Sequence, residues 1–166
     1  YKNTKYLIGP KYFIFDKNKV KEKKKIKKKI KNILITFGGS DLESYTLKII
    51  RIISNLNSSL KITAIIGPFF KKKLINDLQK ISHKNKKIKL IFSPLNLYNY
   101  FFKSDLVLCS SGITKYEVLA SKVPSIIFTT NRSQFKYNEG FKKKNLTLVI
   151  NYKIKDKIVS NMINNY

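Results

Sequence analysis

From Asn32 onward, short apolar runs alternate with longer segments whose apolar residues recur at helical spacing, and this alternation leaves few folds open. Runs at 33–37, 61–66, 88–92, 105–109, 124–128 and 147–150 have the length and β-branched character of buried strands. Segments at 42–55, 69–82, 96–102, 113–121, 133–143 and 153–165 read as helices; around the first, Leu42, Tyr45, Ile49, Ile52, Ile53 and Leu56 mark one face. A strand apolar on both faces needs cover on both sides, and strand–helix–strand units supply it. Right-handed crossovers between parallel strands then lead to one architecture. The expectation is an α/β, Rossmann-like domain over residues 32–166, a mostly parallel sheet with helices on both faces.

Two strand ends in this pattern run into turns of small residues. Ile33-Leu34-Ile35-Thr36-Phe37 is followed by Gly38-Gly39-Ser40-Asp41, and Leu106-Val107-Leu108-Cys109 by Ser110-Ser111-Gly112. Glycine permits close approach of a ligand to the backbone, and amides at a helix start attract phosphate. In an open α/β sheet ligands collect at the carboxyl ends of the strands. Two such turns on one sheet could face one crevice, and Glu117 nearby could accept hydrogen bonds from sugar hydroxyls. Together they have the form of a nucleotide-sugar site.

Thr114-x-x-Glu117 and Ser40-x-x-Glu43 also have capping-box spacing, in which each side chain bonds a free backbone N–H. Local spacing leaves both readings open. His83 is the only histidine and lies in a polar stretch, Ser82-His83-Lys84-Asn85, which reads as a solvated loop. Cys109 ends an apolar strand and reads as a small buried hydrophobe. No nucleophile–base pair or metal-ligand cluster is visible, so no catalytic residue, metal or cofactor is assigned.

Composition narrows the function classes. No apolar run approaches the roughly 20 residues that cross a bilayer. A single cysteine excludes an internal disulfide and suits a reducing, cytoplasmic setting. Lys plus Arg number 35 against 9 acidic residues, a formal charge of +26, which raises nucleic-acid binding as a hypothesis. Only Arg51 and Arg132 are arginines, however, and abundant Lys, Asn and Ile point to coding bias rather than a selected nucleic-acid surface. The Lys-dominated stretch 16–31 reads as an exposed linker or frayed helix, with too few apolar residues (Val20, Ile26, Ile30) for a membrane-surface helix.

A longer pattern carries a resemblance. Ser111-Gly112-x-Thr114-x-x-Glu117-x-Leu119-Ala120, followed by Val123-Pro124-Ser125-Ile126-Ile127, resembles the donor-nucleotide motif of the two-domain GT-B superfamily. That superfamily includes the peptidoglycan N-acetylglucosaminyltransferase and the UDP-sugar hydrolase of the pseudaminic acid pathway. The hydrolase is the nearer resemblance. Leu7-Ile8-Gly9-Pro10-Lys11-Tyr12-Phe13-Ile14 resembles its interdomain segment, Ile33 to Asp41 the start of its C-terminal half, and Ile65-Ile66-Gly67-Pro68 its second strand end.

The resemblance implies the C-terminal half of an enzyme that binds a UDP-sugar and releases UDP; a glycosyltransferase donor domain is the alternative, and a basic RNA- or polyanion-binding module the second. It implies that Gly38, Gly39 and Ser40 line the phosphate side, that Ser111, Gly112 and Thr114 hold the pyrophosphate, and that Glu117 accepts from ribose. Gln134 would lie near the sugar, and Ser93-Pro94-Leu95-Asn96 against uracil. The partner would be the N-terminal half of the same enzyme, with its catalytic base. Residues 1–31 would form the interdomain segment and linker.

Overall fold

The computed structural model describes residues 4–7, 9–14, 16, 20, 27, 29–56, 59–151 and 156–164. Six strands form one sheet: β1 (Asn32–Thr36), β2 (Lys61–Ile66), β3 (Ile88–Phe92), β4 (Leu106–Ser110), β5 (Ser125–Phe128) and β6 (Leu148–Ile150). All pairings are parallel and the order is β3-β2-β1-β4-β5-β6. The chain builds outward from β1 through β2 to β3, then returns to the other side of β1 with β4. The β1/β4 boundary is therefore the switch point, where a crevice opens beyond the carboxyl ends.

Six helices connect or follow the strands: α1 (Tyr45–Ser54), α2 (Lys72–Lys84), α3 (Tyr98–Lys103), α4 (Thr114–Ala120), α5 (Arg132–Lys143) and α6 (Asp156–Asn164). The period-2 alternation of the strands divides the core. Ile33, Ile35, Leu106, Leu108, Ile126 and Phe128 face one layer with Ile49, Ile50 and Ile53 of α1, Leu74 and Leu78 of α2, and Val159 and Ile163 of α6. Leu34, Val107, Cys109, Ile127 and Val149 face the opposite layer with Tyr98 and Phe101 of α3 and Val118 of α4. The expected α/β architecture is thus observed, with helices on both faces.

The differences are local. The α1 segment begins at Tyr45, not Leu42, and Leu42 is exposed, because Asp41 and Ser44 adopt left-handed backbone (φ 40° and 55°) that interrupts a helix. His83 is exposed as expected but lies in the last turn of α2 rather than in a loop. Cys109 is fully buried, which pushes its thiol up to about 12.

Of the Lys-rich stretch, residues 17–19, 21–26 and 28, including Ile26, lie outside the described residues, as do Ile8 and 153–155 at the expected start of the last helix. The remainder touches the domain. Val20 and Ile30 pack against the two core layers, and Phe13 stacks on Tyr116 with ring centroids 4.6 Å apart. Among the described residues no helix is long and apolar enough to cross a membrane.

Candidate functional site

A cleft of about 440 Å³ opens at the carboxyl ends of β1, β4 and β5. Its first wall is the β1–α1 connection. Gly38 has φ 75°, and a Cβ on Gly67 would lie 2.4 Å from the Gly38 carbonyl oxygen and 2.5 Å from that of Gly39. The Phe69 amide donates to the Gly39 carbonyl at 2.8 Å. The two glycines therefore seat the turn against the β2–α2 loop and deliver Ser40 to the cleft.

Asp41 then turns inward. It is buried, and its carboxylate accepts from the Tyr45 and Thr46 amides, each at 2.8 Å. Burial raises its carboxyl above the ordinary range, opposed by the bonds from Thr46 and Tyr45 and by the Lys48 charge. Asp41, not a Ser40–Glu43 box, thus satisfies the start of α1. The amides that the sequence offers to phosphate there are already occupied by a carboxylate.

The second wall is the β4–α4 turn, clipped to the β5–α5 loop. Ser111 is buried, and its hydroxyl donates to Gln134 Oε1 at 2.5 Å. The Thr130 amide and hydroxyl donate to the same oxygen, both at 2.9 Å. A backbone N–H can only donate, which fixes the oxygen of Gln134 at that end and leaves Nε2 as a donor. Asn131 caps α5 by accepting from the Gln134 amide at 2.9 Å. On α4, Ile113 stands at the capping position and Thr114 is already the first helical residue, so Thr114 is not placed as the cap of a Thr114–Glu117 box.

Four of the eight sequence-predicted residues line this cleft: Ser40, Ser111, Gly112 and Gln134. Gly38 and Gly39 form the turn behind it, while Thr114 and Glu117 belong to α4 beyond it. Glu117 is partly buried and close enough to Tyr98 that, after burial, its charge is the next cause raising the Tyr98 phenol. Tyr98 opens α3, where Asn96 Oδ1 accepts from its amide at 2.9 Å. Glu117 therefore lies near Tyr98, two residues beyond the turn expected to meet the base.

Sequence reasoning missed Asp41, Glu43, Thr130 and Asn131 as lining residues. Asn131-x-x-Gln134 has readable capping spacing; nothing local marks Glu43 or Thr130. Among the described residues the lining includes two carboxylates and no basic side chain.

A doubly wound parallel sheet with a polar cleft at its switch point is the α/β architecture in which ligands bind beyond the carboxyl ends of the strands. The chain belongs to the lipid-A-disaccharide synthetase family, LpxB, whose family model matches residues 12–137. It is 32% identical over 147 residues to an uncharacterized protein of Methanocaldococcus jannaschii, MJ1062, covering 85% of this chain and 30% of that protein. Its fold matches MurG of Acinetobacter baumannii with a TM-score of 0.66 at 13% identity, over 84% of this chain and 42% of that one. It also matches WaaG, a glycosyltransferase involved in lipopolysaccharide biosynthesis, with a TM-score of 0.62 at 15% identity, over 84% and 38%. The chain thus shares the Rossmann-like parallel α/β fold of the matched parts of MurG and WaaG, and it spans less than half the length of each of these three proteins.

Proposed function

We propose that the chain is the donor-binding half of a nucleotide-sugar glycosyltransferase, with residues 32–166 as the binding domain and residues 1–31 leading to a second domain. The observation that carries this reading is the cleft at the β1/β4 switch point, rimmed by hydroxyl, amide and glycine groups. Ser40 and the Ser111-Gly112 turn would face the diphosphate from opposite walls, with Gly38 and Gly39 holding Ser40 in place and Thr114 completing the turn. Gln134 Nε2 would donate to a sugar hydroxyl. Glu117 would accept from ribose, where a carboxylate makes charge-assisted hydrogen bonds.

The chemistry asked of this half is limited. The bond between the sugar and the diphosphate breaks, and charge develops on the departing diphosphate, where fixed donors stabilise it. The acceptor and its base would come from the second domain. The family and the two structural neighbours support transfer to an acceptor. Transfer to water, as in the pseudaminic-pathway hydrolase, is the second reading, and the resemblance of the segments 7–14, 33–41 and 65–68 to that hydrolase favours it.

Calorimetric titration with UDP, ADP and GDP tests the donor reading. UDP is expected to bind with at least several-fold preference and without turnover of a UDP-sugar by this chain alone. Equal affinity for the three nucleotides would remove the uridine assignment, and no binding of any would remove the donor site. With the second domain supplied, sugar released only to water would favour the hydrolase.

A further inference from the structure

Among the described residues the cleft has an electrostatic gap, since its walls carry Asp41 and Glu43 but no lysine or arginine. One cation lies just behind. Every other described lysine is exposed, yet Lys115 is 4% exposed. Coding bias explains surface lysines and leaves a buried one unexplained. Its ammonium donates to the Ser111 carbonyl at 3.0 Å. It lies over the rings of Tyr116, Phe141 and Tyr137, at 4.8, 5.4 and 5.7 Å from their centroids. Among the described residues no carboxylate pairs with it.

A buried ammonium is costly unless it is compensated. Here one carbonyl and three aromatic faces hold it, and cation–π contacts strengthen away from water. None of these neighbours cancels its charge. The carbonyl it holds belongs to the residue whose hydroxyl clips Gln134. The charge therefore stands behind the wall that the donor reading assigns to the diphosphate, opposite the two carboxylates.

We propose that Lys115 is the positioning cation of this site: it fixes the Ser111 wall and supplies the positive potential that lets a cleft lined by carboxylates accept a diphosphate. The inference rests on the donor reading above. Lys115 need not touch the ligand, because a charge in a low-dielectric interior acts across several ångströms. The titratable groups facing it are Cys109 on β4, Tyr116 on α4 and Tyr137 on α5. Burial raises the Cys109 thiol and the Tyr116 phenol and lowers the Lys115 ammonium. As pH rises, the ammonium loses its proton at a lower pH than an exposed lysine, and the pull on the diphosphate goes with it.

The test compares uridine and UDP by NMR titration of the wild type and of Lys115→Met, an apolar replacement of similar length. The preference for UDP over uridine is expected to fall roughly tenfold in the variant, the order for one charge at an effective dielectric near 20. Uridine affinity and melting temperature should hold. In the wild type the same preference should decline at a lower pH than that at which exposed lysines titrate, and in the variant it should hold until they do. A variant that keeps the UDP preference overturns the proposal, as does a uniform loss for both ligands together with a lower melting temperature. If the variant fails to fold, the wild-type pH profile decides, and a preference that holds until the exposed lysines titrate overturns the proposal. A wild type that binds UDP while the variant matches it leaves the donor reading standing; a wild type that binds neither ligand ends both.

Discussion

Asp105, at the entry to β4, ties the two strands that frame the cleft. Its carboxylate accepts from the Asn32 amide at 2.9 Å, the Lys31 amide at 3.1 Å and Asn32 Nδ2 at 3.1 Å, and pairs with Lys27 Nζ at 2.9 Å. Burial alone would raise its carboxyl, but the Lys27 ammonium and the Asn32 and Lys31 donors outweigh burial and hold it at about 2, against 3.8 for a free group. At roughly 1.4 kcal/mol per unit, the shift corresponds to about 2 kcal/mol. Lys27 is half-exposed, so solvent screens its share and the amides carry most of the effect.

Asp105→Asn preserves size and one accepting oxygen but removes the charge. A depressed folded value means stability present above the unfolded value and lost as pH falls through the folded one. Urea unfolding should therefore show the variant less stable by about 1–2 kcal/mol at pH 6. That difference should shrink between pH 4 and 2. Comparison with the wild type cancels the general acid sensitivity of a highly charged chain. An equal difference at pH 6 and pH 2, or one that widens in acid, would refute the reasoning.

Gly67→Ala places a methyl 2.4–2.6 Å from backbone atoms of Gly38 and Gly39, which cannot rotate away as a side chain can. A loss of about 1–3 kcal/mol is expected by chemical denaturation, with weaker UDP binding as Ser40 moves; an unchanged midpoint would show that the turn yields freely. Glu117→Gln should cost about 1.5–3 kcal/mol of UDP affinity while stability changes by less than about 1 kcal/mol. The control is Glu139→Gln, on the exposed surface of α5, because Glu43 lines the cleft and is no neutral reference. UDP affinity as unchanged in Glu117→Gln as in the control would remove the ribose role of Glu117.

The fold was legible because strands buried on both faces must read as apolar runs, and the helices between them must show one apolar face. Ile49, Ile50 and Ile53 illustrate the second point, and Leu34 beside Ile33 and Ile35 the first. The start of α1 was not legible, because a side chain outside the helix, Asp41, reached its amides and displaced the boundary by three residues. Both capping boxes had the right spacing, yet neither Ser40 nor Thr114 stands at the capping position of the helix that follows, since spacing does not state where a helix begins. The clip at Gln134 joins Ser111, 23 residues earlier, to Thr130, and only the strand order brings those loops together. Lys115 was hidden among many lysines; its burial depends on Tyr137 and Phe141 from another helix.

The central claim is that a nucleotide diphosphate sits at the β1/β4 switch point. The direct measurement is amide chemical-shift mapping of the labelled chain during titration with UDP. The account predicts saturable shifts at Ser40, Ser111, Gly112 and Gln134, extending to Glu117 and the Ser93–Asn96 turn. Shifts confined to the lysine-rich surface of α2 and β3, between Lys72 and Lys89, would contradict it, since they would mark general attraction of an anion to a basic face.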